Sequence, residues 1–282
     1  MLPRTLAPRR ARVLTLVAGL LGLALLAGCA QSVDPIERLS KKAAQRVRPH
    51  EPATSAEPAY RRWGLALPLP PAPRVRARPP AARTAGPGLP PVVDRVRTRD
   101  RVVFLTYDDG AEQDPRFVDM VRELRLPVSL FLTDSVVGPG YGHFARLRAV
   151  GARVQNHTLD HPALRGLPYA GQRAEICGQQ DKLKSRFGIR PRFFRPPYGT
   201  YDTNTLRAAA DCGLSAVVRW RASLEGGGTL TYTYGEPRLR PGDIVSVASG
   251  ESTGLTLVNR TTRLLRETQE RGLTVGRLED YL

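Results

Sequence analysis

The chain has 282 residues, with 43 Lys+Arg against 26 Asp+Glu, a formal net charge of +17, and 3 cysteines. The charge is segregated: the residues before 100 hold 18 Lys+Arg and 5 Asp+Glu, and so +13 of the +17. The basicity therefore belongs to the N-terminal third rather than to a folded surface. No nucleic-acid-binding motif accompanies it, which excludes nucleic acid as the expected partner.

Residues 1–29 start MLPRTLAPRRAR, with four arginines and no acid, and continue VLTLVAGLLGLALLAGC. A basic start, an apolar run and a small-residue end predict a secretory signal; the rival is a membrane-spanning anchor. The ending Leu26-Ala27-Gly28-Cys29 resembles a bacterial lipobox. The resemblance implies cleavage before Cys29, which would carry the lipid. Either reading places the rest of the chain outside the cytoplasmic membrane, tethered to it by a lipid anchor or a span.

Residues 30–99 contain 14 Lys+Arg, 5 Asp+Glu and nine prolines between positions 68 and 91. This composition predicts a basic, Pro-rich, disordered linker. Its charge suits an anionic membrane or wall polymer, or simply that of a solvated spacer.

Residues 100–282 are long enough for one domain with a sizeable core, expected as a monomer. A strand at 102–106 leads to Asp114-Pro115, a helix start, and a helix through Arg125. Strands follow at 127–133, 152–157, 191–195, 214–220, 243–249 and 273–278. Helical patterns fill 144–151, 170–188, 203–213 and 255–272. Seven strands alternating with helices predict an α/β fold, either a barrel or an open sheet, with its chemistry at the carboxyl ends of the strands. Cys177 and Cys212 fall on two of the helices. Outside the cytoplasm they form a disulfide or remain as two buried thiols.

Each chemical motif falls at such a strand end. Asp108 and Asp109 close the first strand, and two adjacent carboxylates resist double ionisation unless a cation or proton compensates. His157 and His161 follow the third strand; an i,i+4 pair on one face of a helical turn can share a metal. Two imidazoles and a carboxylate leave positions open for water and substrate. The alternative is a pair of surface histidines. The stretch Arg195-Pro196-Pro197-Tyr198-Gly199 is a rigid turn, catalytic or not.

Together these stretches resemble the NodB-type polysaccharide deacetylases, carbohydrate esterase family four. The first motif matches at Thr106-Tyr107-Asp108-Asp109-Gly110, the second at His157-Thr158-Leu159-Asp160-His161 and the third at Arg195–Gly199. The resemblance implies a distorted (β/α) barrel of about seven strands over 100–282. It implies a divalent metal, zinc or alternatively cobalt, nickel or manganese, on Asp109, His157 and His161. Asp108 would be the general base, Arg195 its holder, and the Tyr198 backbone N–H an oxyanion donor. The substrate would be an acetylated glycan.

Two family motifs depart. Around Trp220 the expected acids are replaced by Arg219, Arg221 and Ser223, with Glu225 the nearest carboxylate. On the strand at 243–249, Ala248 stands where the family has a histidine that protonates the leaving amine. No histidine follows position 161. His143, in the preceding half, is the one candidate to stand in for it. Three functions remain: an N-deacetylase of envelope polysaccharide such as peptidoglycan, weakened by the lost acid; a non-catalytic glycan- or metal-binding module; and an O-acetyl esterase, whose leaving group needs protonation less.

Overall fold

The computed structural model describes residues 57–73, 75, 86–110, 112–248 and 254–282. The expected signal peptide, Cys29 and the first part of the linker lie outside these residues. In chain order the elements are α1 (Ala59–Arg62), β1 (Val92–Val93), β2 (Val102–Asp109), α2 (Pro115–Leu124), β3 (Ser129–Leu132), α3 (Asp134–Val137), α4 (Tyr141–Ala149), β4 (Arg153–Asn156), α5 (Tyr169–Phe187), β5 (Phe193–Phe194), α6 (Thr203–Asp211), β6 (Ala216–Val218), β7 (Ala222–Leu224), β8 (Leu230–Tyr232), β9 (Ile244–Val247), α7 (Leu257–Glu270), β10 (Thr274–Val275) and α8 (Leu278–Tyr281).

The strands form one curled sheet in the order β1-β6-β5-β4-β3-β2-β9-β7-β8, with β10 joining the start of β2. Every pairing is parallel except the β7–β8 hairpin. This is the expected distorted (β/α) barrel. The seven strands expected from the sequence are all present, and β1, β7 and β8 are additional. Strand alternation sorts the core into layers. Val102, Phe104, Phe131, Phe193, Val218 and Ile244 turn inward, where Leu278 and Tyr281 of α8 join them. Val103, Leu105 and Tyr107 turn outward onto residues of α2, α4 and α7. Near α5 and α6 a third cluster gathers around Ile176, Phe194 and Leu206.

The folded unit begins earlier than residue 100. Glu57–Leu282 is one compact unit, and parts of the expected linker pack onto it. Leu65 is buried and the Trp63 indole N–H donates to Glu123 Oε2 at 2.8 Å. The prolines leave this stretch with free carbonyl acceptors. Arg266, Gln269 and Thr274 donate to the carbonyls of Gly64, Leu67 and Pro70. β1 then adds to the sheet edge beside β6.

Candidate active site

β2 places Asp108 and Asp109 at its carboxyl end. Asp109 adopts φ 63° and Gly110 φ 88°, so the chain turns sharply off the strand. A Cβ on Gly110 would come within 2.8 Å of Val137 and 3.0 Å of Phe144, so only glycine fits this turn. Beyond it, Glu112 pairs with the buried guanidinium of Arg260, which ties the loop to α7.

The histidines follow β4, but not as a helical turn. Thr158 and His161 both take left-handed backbone angles, φ 73° and 60°. The bend is built by side chains instead: Asn156 Oδ1 accepts from the Thr158 N–H, Glu175 Oε2 from the N–H groups of Leu159 and Asp160, and Thr158 Oγ1 from the His161 N–H. These bonds do the work that the i,i+4 spacing alone was expected to do. Of the five non-glycine residues with positive φ among those described, Asp109, Thr158, His161 and Tyr198 lie in the three motifs. Such strain persists only where the surroundings enforce it, and it gathers at functional sites.

The result is a convergent donor set. His157 Nε2 lies 3.1 Å and His161 Nε2 3.0 Å from the same oxygen, Asp109 Oδ1. One ligand atom from each of the three residues falls within 4.8 Å of the others. His157 is buried, and its Nδ1 stands 2.7 Å from the Arg195 carbonyl. A carbonyl only accepts, so Nδ1 carries the proton, which leaves Nε2 as the ring atom that can serve as a metal ligand. Two ring nitrogens converge on one carboxylate oxygen at 3.1 and 3.0 Å, a spacing that shared protons or a bound cation can bridge. A second ring nitrogen fixed by a carbonyl is the usual support of a metal-binding histidine. The donor set of two imidazoles and one carboxylate fits a divalent ion.

Asp108 is held from two sides. Arg195 Nη1 donates to Oδ1 at 2.5 Å, and Ser246 Oγ donates to Oδ2 at 2.7 Å. Arg195 is wholly buried; its other N–H groups donate to the carbonyls of Val218 and Arg219, and its guanidinium lies 4.2 Å from the Phe131 ring and 5.3 Å from the Trp220 ring. Burial pushes the Arg195 pKa down, and the charge and hydrogen bond of Asp108 oppose that shift. Tyr198 sits in the Pro197–Gly199 turn, largely exposed, with its ring 4.8 Å from that of His161.

All six residues expected at the site, Asp108, Asp109, His157, His161, Arg195 and Tyr198, thus meet at the carboxyl ends of β2, β4 and β5. His143 does not join them. It is buried on α4 edge-on to Phe144, and burial lowers its pKa, with Arg146 adding to the effect and Asp114 opposing it. Ala248 follows β9, its N–H on the Leu224 carbonyl. Ser246 was not foreseen: a single serine in an apolar strand carries no pattern. Its one available signal was its place two residues before Ala248, hence on the same face of the strand. Cys177 and Cys212 are joined as a disulfide between α5 and the end of α6.

A family model described as polysaccharide deacetylase matches residues 95–217. An uncharacterized protein of Streptomyces coelicolor is 67% identical over 197 residues, which cover 70% of this chain and 79% of that one. Chitin deacetylase 1 of Cryptococcus neoformans var. grubii is 29% identical over 161 residues, 56% of this chain but only 34% of its own length. Among solved structures, a pseudoenzyme of carbohydrate esterase family 4 from Bacillus anthracis has the same fold, with a TM-score of 0.57 at 19% identity over 68% of each chain.

Proposed function

We propose that this chain, whose residues 95–217 match the polysaccharide deacetylase model, is a metal-dependent hydrolase removing acetyl groups from an N-acetylated cell-envelope polysaccharide, peptidoglycan foremost. The observation that carries this reading is the approach of His157 and His161 to one oxygen of Asp109, beside a separate carboxylate, Asp108, held by a buried arginine.

Asp109, His157 and His161 would hold the ion, zinc by preference. A divalent ion there supplies Lewis acidity toward an acetamide carbonyl and toward water. The protein's own groups do the rest. Asp108 takes the proton from the attacking water, and Arg195 keeps its carboxylate in place. The Tyr198 backbone N–H faces the developing oxyanion. Trp220, packed on Arg195, walls the site. The amine leaves with a proton from solvent or from Asp108, since position 248 offers only a methyl group.

That methyl group favours a second reading, a non-catalytic glycan- or metal-binding module. Acetate release by the purified chain from N-acetylated and O-acetylated glycan oligomers, with and without added zinc or cobalt, separates the readings. Metal-dependent release from N-acetyl substrates supports the first. Release from O-acetyl substrates alone makes the protein an esterase, and no release with retained glycan binding makes it a binding module.

The sequence further supports a lipoprotein: acylated Cys29 at the membrane, residues 30–56 as tether, and the folded unit outside the cytoplasm as a monomer.

A further inference from the structure

We infer that Ser246 is a positioning residue for the general base: with Arg195 it clamps the Asp108 carboxylate, one anchor on each oxygen. The inference rests on the hydrolase reading above. β2 lies between β3 and β9 in the sheet, and Ser246 on β9 is in register with Thr106 on β2. Thr106 and Asp108 share one face of their strand, so the serine side chain reaches the carboxylate diagonally across the pair. Its hydroxyl is buried and gives its one proton to Asp108 Oδ2 at 2.7 Å. Arg195, arriving after β5 on the opposite side, holds Oδ1.

Two anchors do what one cannot. A carboxylate bonded through a single oxygen still turns about its Cβ–Cγ bond, sweeping its free lone pairs through an arc. Bonds on both oxygens, from opposite walls of the barrel mouth, fix the plane of the group. Each oxygen keeps a second lone pair for a water proton. Misplacing a reacting atom by about 1 Å can cost roughly 10²-fold in rate. The inward positions of β9 and the residue after it are Ile244, Ser246 and Ala248, of which only the serine can hydrogen-bond through its side chain. The strand that carries no acid at 248 therefore contributes to the site through 246.

The test compares the wild type, Ser246→Ala, Ser246→Thr and Ser246→Cys as full chains, each with zinc content measured. Ser246→Ala should lower kcat about 10-fold, with KM and bound metal within about twofold of the wild type. Ser246→Thr, which keeps the hydroxyl, should recover most of that loss; should its methyl group prevent folding, Ser246→Cys, a weaker donor, should fall between serine and alanine. In an Asp108→Asn background, Ser246→Ala should cost nothing further, because the residue acts through Asp108. Unchanged kcat in an active Ser246→Ala enzyme overturns the inference and leaves the hydrolase reading standing. An equal further loss in the Asp108→Asn background overturns it as well. A wild type that releases no acetate from any substrate overturns the hydrolase reading and removes the inference with it.

Discussion

At the scale of single residues, the two adjacent aspartates have separate partners although nothing in the tripeptide Asp108-Asp109-Gly110 distinguishes them. The left-handed turn at Asp109 sends one carboxylate toward the histidines while the other stays under Arg195. Substitutions should therefore diverge. Asp109→Ala or His157→Ala should lower bound metal about 10-fold or more, measured on the dialysed protein, since losing even an outer partner of a metal ligand costs that much. Asp108→Asn should keep its metal and lose activity by roughly 10² or more; equal metal loss in both would reverse the assignment. Ala248→His should raise the rate of N-deacetylation by at least about 10-fold, a part of the contribution a general acid makes. The candidate metal cluster was legible in the sequence because histidine is scarce and the spacing is chemical. Ser246 was not, because its role depends on which strand becomes the neighbour of β2. The His157–His161 turn was legible in composition but not in shape. Its left-handed angles are enforced by Asn156 and by Glu175, fourteen residues beyond His161.

At the scale of elements, the longer helices and seven of the strands were legible because their apolar spacing is local, and α2, α6 and α7 also carry caps at Asp114, Asp202 and Thr256. Residues 57–73 and β1 were not, because their Pro-rich surroundings have the composition of a linker, and Gly64 and Pro70 are held by Arg266 and Thr274, about two hundred residues away. The consequence is measurable. A chain starting at residue 100 loses Trp63, Leu65 and β1, and burial of one leucine alone is worth about 1.5–3 kcal/mol. Against a chain starting at 57, urea unfolding should show a deficit of about 3 kcal/mol or more. Equal midpoints would mean that the docked stretch contributes no stability. α6 offers a second case. Asp202 caps it, accepting from Thr205 N–H in a capping box and also from Gly166 N–H and the Gln172 amide. Burial works to raise its pKa, but the bonds from Gly166, Thr205 and Gln172 outweigh that and hold it at about 2. A depressed carboxylate stabilises the fold above its unfolded value of about 4, and the benefit is lost as pH falls toward 2. Asp202→Ala should cost about 1 kcal/mol at pH 7, and the gap to the wild type should narrow in acid.

At the scale of the whole molecule, the sequence made the barrel and the segregation of charge legible, but not how the sheet is completed. The hairpin of β7 and β8 extends the edge beyond β9, and the bridge between Arg95 and Asp243 ties the stretch after β1 to the start of β9. β1 lies in a Pro-rich stretch and β7 and β8 flank a Gly-rich one, compositions that read as linker and loop, whereas the equally short β5, β6 and β10 sit inside the longer strand patterns at 191–195, 214–220 and 273–278. The disulfide joins this scale to the compartment. Cys177 on α5 and Cys212 at the end of α6 are 35 residues apart in sequence, and the loop they close contains β5, the Arg195–Gly199 turn and α6. The bond therefore encloses the segment that supplies Arg195 and Tyr198 to the site. Closing a loop of this length restricts the unfolded chain by about 4 kcal/mol in the entropy model, with measured gains typically about 2–4 kcal/mol. Protein exported to an oxidising compartment should show no free thiol at either position when unfolded without reductant. The double variant Cys177→Ser/Cys212→Ser, or the wild type under dithiothreitol, should unfold at lower urea concentration, with an unfolding free energy smaller by about 2–4 kcal/mol. The metal content should change little, because Asp109, His157 and His161 all lie outside the loop. Two titratable thiols in the exported protein would remove the bond, and a double variant as stable as the wild type would show that the bond adds nothing to the packing of α5 on α6.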